Sequence, residues 1–397
     1  MKQIKVKQEV LKMTFESVNN RFEKGRLTTE EAAEILGLSV STFYRKRLRY
    51  EEEGFEGIYD KRLGRASPHR AADAEVERIT KLYEDKYRGF SVKHFHEFAC
   101  REHGLQYGYT WTKNLLINTG HIKKSKKGGK HRLRRDRRPM TGMMLHQDGS
   151  THNWIPGLGY NVDLIVTMDD ANSEITSAFF VLQEGTESSF QGFIETIKKY
   201  GLFCSLYADR GSHYWFTPEA GGKVDKYNLT QVGRALKQIG IQLIASYSPE
   251  ARGRSERMFG TLQNRLPKEL ELHGIVTLEG ANQYLKEVYL PRHNKQFTVE
   301  PEVEDETAYI PWIGGDLNEI FCHQDERTVQ KDNTVSYKTL RLQIPKDNLR
   351  YHYVETKVEV RQYLNETLAI FFGNRCLGRY DPQGNIIEPS QQLAKVA

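Results

Sequence analysis

The sequence predicts a multidomain chain: an all-α front, an α/β core with a mixed five-stranded sheet, and a small C-terminal β-barrel. Three observations predict this class. Apolar residues recur at helical spacing from about residue 8 to residue 119. From residue 140 they follow a period of two or form short apolar runs, and residues 325–382 alternate short strands with turns. We expect domains at 1–70, 71–122, 139–290 and 325–397, with a basic linker at 123–138 and a connector at 291–324.

Charge is divided unevenly along the 397 residues. Residues 1–138 hold 32 Lys and Arg against 19 Asp and Glu, a net charge of +13, which leaves −7 for the remainder of a chain whose total is +6. A basic front indicates a polyanion partner, and nucleic acid is the natural one. No apolar run approaches the ~18 residues of a membrane span. The four scattered cysteines favour neither a disulfide framework nor a cysteine zinc site, so we expect a cytoplasmic protein.

The front of the chain has the layout of a helix-turn-helix. Thr28 and Glu31 form a capping box, Gly37 ends the short helix, and Ser39 caps a second helix that runs to about Tyr50. On this second helix we expect an apolar buried face formed by Val40, Phe43, Tyr44 and Leu48. The opposite face is predicted to contact DNA through Ser41, Thr42, Arg45, Lys46 and Arg49.

A second three-helix unit is predicted from helices at 72–86, 91–102 and 110–119, again typical of a DNA-binding unit. His96, Cys100 and His103 share one face of its middle helix. Because no second ligand pair completes a zinc site, we favour a structural role for them.

The linker 123–138 holds ten Lys and Arg in sixteen residues around Gly128 and Gly129, so it is both flexible and suited to following a phosphate backbone. The phosphate contacts predicted here are Lys123, Lys124, Lys126, Lys127, Lys130, Arg132, Arg134 and Arg135.

The α/β core is predicted in the order β-β-β-α-β-α-β-α. Its strands are expected at Met143–Asp148, Val162–Met168, Ile175–Leu182, Phe203–Ala208 and Gln242–Ala245. Its helices are expected at Phe190–Tyr200, Leu229–Ile239 and Arg252–Leu266, with Pro267 as the stop. The C-terminal barrel is expected from strands at Thr334–Tyr337, Leu340–Ile344, Lys357–Tyr363, Thr367–Phe372 and Arg375–Tyr380.

Three carboxylates occupy positions that this order can bring together. Asp148 and Asp209 each end a strand, on strands expected to be neighbours, and Glu256 lies on the helix after the last strand. Carboxylates suit Mg²⁺, and two such ions can activate an attacking oxygen, stabilise a leaving oxygen and neutralise phosphate charge. Taken singly, each residue reads more simply as a turn residue or a surface ion pair. Asp169 and Asp170 are explained by a turn, and Asp163 is a weaker candidate.

At these residues the chain resembles a known family. The blocks Asp148-Gly-Ser150, Ala208–His213 and Ser248–Leu262 look like the three catalytic blocks of bacterial insertion-sequence transposases of the DDE, or retroviral-integrase, superfamily, closest to ISNCY-type transposases. The segments Leu229–Leu236, Gln263–Leu270 and Arg292–Phe297 also resemble that group. The resemblance covers roughly residues 20–385.

The resemblance implies an RNase H-like core in which Asp148, Asp209 and Glu256 are catalytic and hold two Mg²⁺ ions, with Mn²⁺ as a substitute. It also implies DNA contacts from Arg210, Arg252, Arg254 and Arg265. The sequence departs from the family at Arg210, where relatives often have Asn or His, and at Gln263, where many have Lys or Arg. A Gly-rich loop, Pro218–Tyr227, accounts for a longer gap between the second Asp and the Glu.

The implied function is a DNA transposase of the bacterial nucleoid. It would bind terminal inverted repeats, free a 3′-OH by hydrolysis and join that end to target DNA, acting as a dimer or higher oligomer. No Walker A pattern occurs, so ATP is not implied. Two alternatives stay open: a non-catalytic DNA-binding regulator, and a tyrosine recombinase, although the one H-x-x-R outside helices, His131 to Arg134, lies inside the basic linker.

Overall fold

The computed structural model describes residues 2–59, 70–124, 135–219, 222–247, 249–346 and 348–387. The chain divides into two compact units, residues 1–78 and 79–397. Among the described helices, none is long and apolar enough to cross a membrane.

The first helical unit consists of α1 (Lys2–Glu23), α2 (Thr29–Ile35) and α3 (Val40–Glu53). The caps predicted at Thr28 and Ser39 are present, including the reciprocal hydrogen bonds of the capping box. The predicted apolar face of α3 is wrong in part. Of its four residues only Phe43 is buried, and Val40, Tyr44 and Leu48 are exposed. The helix packs instead through Phe43, Arg47 and Tyr50. The guanidinium of Arg47 lies 4.9 Å from the ring of Phe22, so its apolar stem lies along the core.

The second helical unit consists of α4 (Asp73–Lys86), α5 (Val92–His103) and α6 (Tyr109–Asn118), each within one residue of the predicted bounds. Its interior is aromatic. Tyr83, Tyr87, Phe90, Phe95 and Phe98 are buried and meet mostly edge to face, with ring centroids 5.0 to 5.7 Å apart.

A mixed five-stranded sheet forms the centre of the core, as predicted. It consists of β1 (Leu145–His152), β2 (Val162–Asp169), β3 (Ile175–Val181), β4 (Ser205–Ala208) and β5 (Gln242–Ala245), in the order β3-β2-β1-β4-β5. The first three strands are antiparallel, and β4 and β5 run parallel to β1. β1 extends four residues past its predicted end. The polar run after Asp148 looks like a turn, yet it pairs with the fully buried strand β2.

Helices cover both faces of this sheet. One face packs against α7 (Thr186–Tyr200) and α8 (Gln231–Gln238). The other packs against α9 (Pro249–Leu272), α10 (Leu278–Tyr284), a π-helical turn (Leu285–Tyr289) and α11 (Leu290–Phe297). The edge strand β3 is held by two side-chain amides. Asn282 exchanges two hydrogen bonds with the backbone of Phe180, and Asn294 does the same with Ile175. These amides stand in for a sixth strand, so this part of the edge is covered.

The sequence predicted that the helix carrying Glu256 would stop at Pro267, and this prediction is wrong. α9 continues through this residue to Leu272. A proline inside a helix costs about 3 kcal/mol, because it removes one backbone hydrogen bond. Here Leu262, Leu266 and Leu270 lie on both sides of the proline and are fully buried in the core, and their packing outweighs that cost.

The predicted C-terminal β-barrel is wrong, because the strands do not close. β6 (His323–Thr328), β9 (Lys357–Gln362), β10 (Leu368–Phe372) and β11 (Arg375–Tyr380) form one sheet in the order β11-β10-β9-β6. β7 (Thr334–Tyr337) and β8 (Leu340–Gln343) form a separate two-stranded ribbon. The two sheets share one apolar core without a ladder between them. β6 was missed because its sequence, HQDERT, has no apolar alternation.

Candidate acidic active site

Asp148 and Asp209 lie side by side at the centre of the sheet. β1 and β4 are parallel, with Leu145 opposite Leu206 and His146 opposite Tyr207, and the same offset continues to Asp148 and Asp209. Both aspartates line one small cleft. The other residues lining it are His146, Gln147, Tyr207, Ala208, Ser246 and Ser255. The sequence therefore placed two of its three candidate carboxylates correctly with respect to each other.

Two glycines give these carboxylates room. Asp209 follows β4 directly, and its Oδ1 accepts a hydrogen bond of 2.8 Å from the backbone N–H of Gly211. A Cβ at Gly211 would lie 2.9 Å from that same oxygen. Beside Asp148, a Cβ at Gly149 would lie 2.3 Å from Oε2 of Glu184. A larger residue at Gly211 would displace the carboxylate of Asp209, and one at Gly149 would displace that of Glu184.

A buried tyrosine lies close to the cleft. The fully buried hydroxyl of Tyr214 donates to Oε1 of Gln147 at 2.8 Å. Burial raises the pKa of Tyr214 well above its ordinary value, and the charges of Glu184, Asp148 and Asp209 raise this pKa further.

Sequence reasoning missed Glu184 and His213, which form a pair beside the aspartates, with Nε2 of His213 3.5 Å from Oε1 of Glu184. The sequence offered a way to find His213, because this residue is the last one of the block Ala208–His213. Glu184 follows β3 in a short loop that carries no recognisable motif.

Glu256 is not part of the cleft. Its neighbour Ser255 is buried and lines the cleft, whereas the side chain of Glu256 is exposed. Within the described part of the chain, no group of three or more His, Cys, Asp or Glu side chains is arranged to hold a metal ion. The structure thus brings together two of the three predicted ligands.

Asp170 is more than a turn residue. It is completely buried and forms ion pairs with Arg135 and Arg254, a 2.8 Å hydrogen bond with Nε2 of His146, and a 2.9 Å hydrogen bond from the backbone of Arg138. Burial alone would raise the pKa of Asp170, but these hydrogen bonds and charges hold it well below its usual range. Because Arg135 and Arg254 are committed to this carboxylate, neither acts in this structure as the exposed DNA contact that the sequence predicted.

Arg265 is also an internal residue. It is 8% exposed, and its guanidinium makes two hydrogen bonds, of 2.6 and 3.1 Å, to the carboxylate of Glu97 on α5. In this structure Arg265 is thus held by Glu97, and its predicted DNA contact stays a prediction. Gln263, two residues earlier, donates to Oγ of Ser150 on β1 at 3.2 Å.

A buried acid, Glu269, fixes the C-terminal half of α9. It forms an ion pair with Arg292, accepts a 2.8 Å hydrogen bond from Tyr284, and lies 2.8 Å from Nε2 of His94 on α5. Together with the pair Glu97–Arg265, these contacts attach the second helical unit to the helix that carries Glu256.

The remaining predicted DNA contacts differ in accessibility. On α3, Ser41, Arg45 and Arg49 are exposed, and Thr42 and Lys46 are half-buried. Lys123, Lys124 and Arg210 are exposed. Lys126, Lys127, Lys130, Arg132 and Arg134 lie outside the described residues, as does the side chain of Arg252.

The fold and the site together define an α/β protein with paired carboxylates at the centre of a mixed sheet, preceded in the sequence by a helix-turn-helix. Comparison with known proteins agrees. The family model for a winged helix-turn helix matches residues 22–78. The protein y4bF of Sinorhizobium fredii, provisionally named a transposase, is 28% identical over 87% of this chain and 75% of its own length. The transposase for insertion sequence IS1202 of Streptococcus pneumoniae is 28% identical over 85% of this chain and 78% of its own length. The chain is therefore similar over most of its length to two proteins named as transposases, one of them from an insertion sequence, in agreement with the resemblance of its motifs.

Two solved structures also match, at low similarity. One is a simian T-cell lymphotropic virus intasome in complex with PP2A regulatory subunit B56 gamma, with 14% identity, a TM-score of 0.34, and coverage of 78% of this chain and 97% of the other. The second is the HTLV-2 integrase catalytic core domain in complex with magnesium, with 16% identity, a TM-score of 0.28, and coverage of 37% and 85%. Because both TM-scores are below 0.5, neither match bears on the assignments made here.

Proposed function

We propose that this protein is a DDE transposase that cuts the phosphodiester at the ends of an insertion sequence and joins the freed 3′-OH to target DNA. The observation that carries the proposal is the pair Asp148 and Asp209, set at equivalent positions of two parallel strands in one cleft. The identity to two insertion-sequence transposases over most of the chain supports it. The domain boundaries predicted from the sequence are part of this proposal.

The chemistry of the cleft fits a hard divalent cation. Carboxylate oxygens are the ligands that Mg²⁺ and Mn²⁺ prefer, and Asp148 and Asp209 both line the cleft. Asp148 and Asp209 would hold the ions, and Glu256 would complete the set once DNA draws the N-terminal part of α9 inward. When bound, two such ions neutralise phosphate charge and activate the attacking oxygen.

The residues of the chain itself would position the DNA. Asp148 and Asp209 are held by the sheet, so the reacting phosphate would be placed at the carboxyl end of β4 with little reorganisation. Ser41, Thr42, Arg45, Lys46 and Arg49 on α3 would read the terminal repeat, and the basic segment 123–138 would follow the backbone. Two ends must be held together for joining, so a dimer or larger assembly is required, acting in the bacterial cytoplasm on nucleoid DNA.

Substitution of the second aspartate tests this function. Asp209→Asn should abolish joining, because it removes a ligand charge while keeping the shape of the side chain. End binding by the helix-turn-helix should stay within about twofold, because that contact lies elsewhere. The assay incubates labelled fragments carrying the flanking inverted repeats with protein, a plasmid and Mg²⁺ or Mn²⁺.

The assay also separates the alternatives. Joined products from the wild type and not from Asp209→Asn support the proposal, and joining retained by the variant overturns it. Specific binding without nicking or joining in either protein would indicate a DNA-binding regulator. A covalent protein–DNA adduct would indicate a tyrosine recombinase.

A further inference from the structure

A basic cavity lies next to the acidic cleft. It has a volume of about 550 Å³, which is large enough for a nucleotide. The residues lining it are Arg210, Gly222, Lys223, Val224, Lys226 and Tyr247. No carboxylate is among these lining residues, whereas the cleft beside it is lined by two. A site of positive charge is thus placed directly against a site of negative charge.

The sheet fixes this position. β4 and β5 are parallel neighbours with Ala208 opposite Ala245, so the residues that follow both strands emerge at the same edge. Arg210 comes directly after the cleft residue Asp209, and Tyr247 directly after the cleft residue Ser246. A strand of DNA whose phosphate reaches Asp148 and Asp209 therefore passes this cavity with the adjoining nucleotide.

The residues that line the cavity contact one another. The guanidinium of Arg210 lies 5.4 Å from the ring centroid of Tyr247 and donates to the carbonyl of Gly222 at 3.1 Å. The backbone N–H of Val224 donates to the hydroxyl of Tyr247 at 3.4 Å. Asp225, between the two lysines, accepts hydrogen bonds from the backbone of Tyr227 and from the backbone and side chain of Asn228. Its carboxylate is thereby engaged with the loop that follows it.

The chemistry of this lining matches one nucleotide. A planar guanidinium over an aromatic ring offers a stacking surface to a base, and ammonium groups attract its phosphate. A base inside a duplex is stacked on both sides, so the ring of Tyr247 can stack on its face only after that base has left the stack. We propose that this cavity holds one unpaired nucleotide adjoining the phosphodiester that is cut. The inference deepens the proposed function and rests on it, and it assigns a role to the loop residues Gly222, Lys223, Val224 and Lys226.

The test measures binding of the full-length protein to a short duplex that carries the flanking inverted repeat. Each duplex ends at the cleavage point. One form is blunt, a second bears a one-nucleotide adenine overhang, and a third bears an abasic sugar-phosphate in place of that nucleotide. Each overhang is placed in turn on either strand. The wild type should bind the adenine overhang about tenfold more tightly than the abasic one. Tyr247→Ala should lose this base-dependent gain, and Tyr247→Phe should keep it because the ring remains.

Two further variants complete the design. The wild type should bind the abasic overhang more tightly than the blunt duplex, and the double variant Lys223→Ala with Lys226→Ala should lose this difference in affinity. Its binding should also depend less steeply on salt. Tyr351→Ala, at a tyrosine that is 96% exposed in the C-terminal region, should behave as the wild type. Because Tyr247 is itself 56% exposed, its replacement should not impair folding.

The outcomes separate the two proposals. If the wild type joins DNA but binds overhang duplexes no more tightly than blunt ones, the nucleotide site alone is overturned. The same holds if Tyr247→Ala still binds the adenine overhang more tightly than the abasic one. No specific end binding by the wild type would overturn both. A 5-iododeoxyuridine overhang should photo-crosslink to the peptide that contains Tyr247, and crosslinking confined to other peptides would also refute the site.

Discussion

The two helical units look alike in sequence and differ in what they do with their polar residues. In the first unit, α3 carries four cations, Arg45, Lys46, Arg47 and Arg49, of which Arg45 and Arg49 are exposed. In the second, α6 occupies the same place in the order of helices but carries a single cation, Lys113. The first unit therefore has the surface of a DNA reader, and the second does not.

The second unit uses its polar residues for internal contacts. His94 and Glu97 on α5 meet Glu269 and Arg265 on α9, and Gln296 on α11 also donates to Glu97 at 2.6 Å. Spacing of apolar residues identifies a helix and its core, but it does not tell a surface ion pair from one that joins two elements. We therefore propose that the second three-helix unit supports α9, and its role as a second DNA-binding unit stays a prediction.

The largest expected effect concerns Glu269. Glu269→Ala leaves Arg292, Tyr284 and His94 without their shared carboxylate, and breaking such a buried pair costs about 3 to 5 kcal/mol. Amide hydrogen exchange should therefore become faster in α5 and α9 and stay unchanged in α3. The control is Glu271→Ala on the same helix, whose carboxylate is 57% exposed and pairs only locally with Lys268. Equal exchange in the two variants would remove the distinction drawn between the units.

The next effect concerns DNA. Replacing both Arg45 and Arg49 by Ala should weaken end binding by tenfold or more and lower its salt dependence, because each contact contributes about 1 to 3 kcal/mol. Lys113→Ala on α6 should change binding by less than about twofold. The measurement is a titration of labelled terminal repeats at several salt concentrations. Equal losses from the two helices would restore the interpretation of both units as DNA readers.

Much of the fold was accessible from the sequence, for reasons that particular elements show. Thr28 and Ser39 are caps whose hydrogen bonds are local, so a short pattern predicts them. The order of strands and helices followed from the change of period near residue 140. The predictions at Pro267 and β6 failed for the opposite reason. The helix continues through Pro267 because its leucines pack into the core, and β6 forms because it pairs with β9, so tertiary contacts outweighed local preference.

The candidate site divides in the same way. Asp148 and Asp209 were predictable as neighbours because they belong to adjacent parallel strands or follow them. The contacts of Asp170 with Arg135 and Arg254 were not predictable, because they join residues 35 and 84 positions apart in the chain. Glu256 remains a prediction, since its side chain is exposed beside the buried Ser255.

The smallest effect is a dependence on pH that comes from His94 in the second helical unit. Burial lowers the pKa of His94 to about 3, and the charges of Arg265, Arg292 and Arg101 lower it further, against the opposing charge of Glu97. The unfolded chain takes up a proton near pH 6.5, whereas the folded chain does not until about pH 3. Stability is therefore complete above pH 6.5 and falls as the pH decreases, by up to about 1.4 kcal/mol per pH unit.

His94→Gln isolates this contribution, because glutamine can still donate to Glu269 and does not titrate. Urea unfolding at pH 7, 6 and 5 should show a smaller loss of unfolding free energy in this variant than in the wild type, with a difference of about 1 kcal/mol between pH 6 and pH 5. His352→Gln, at an exposed histidine of the C-terminal region, should follow the wild type. Parallel slopes in the wild type and His94→Gln would mean that His94 is charged in the folded state and pairs with Glu269 as an imidazolium. The attachment of the second unit would then be an ion pair that acid strengthens, and the expected loss of stability at low pH would have to come from carboxylates elsewhere in the core.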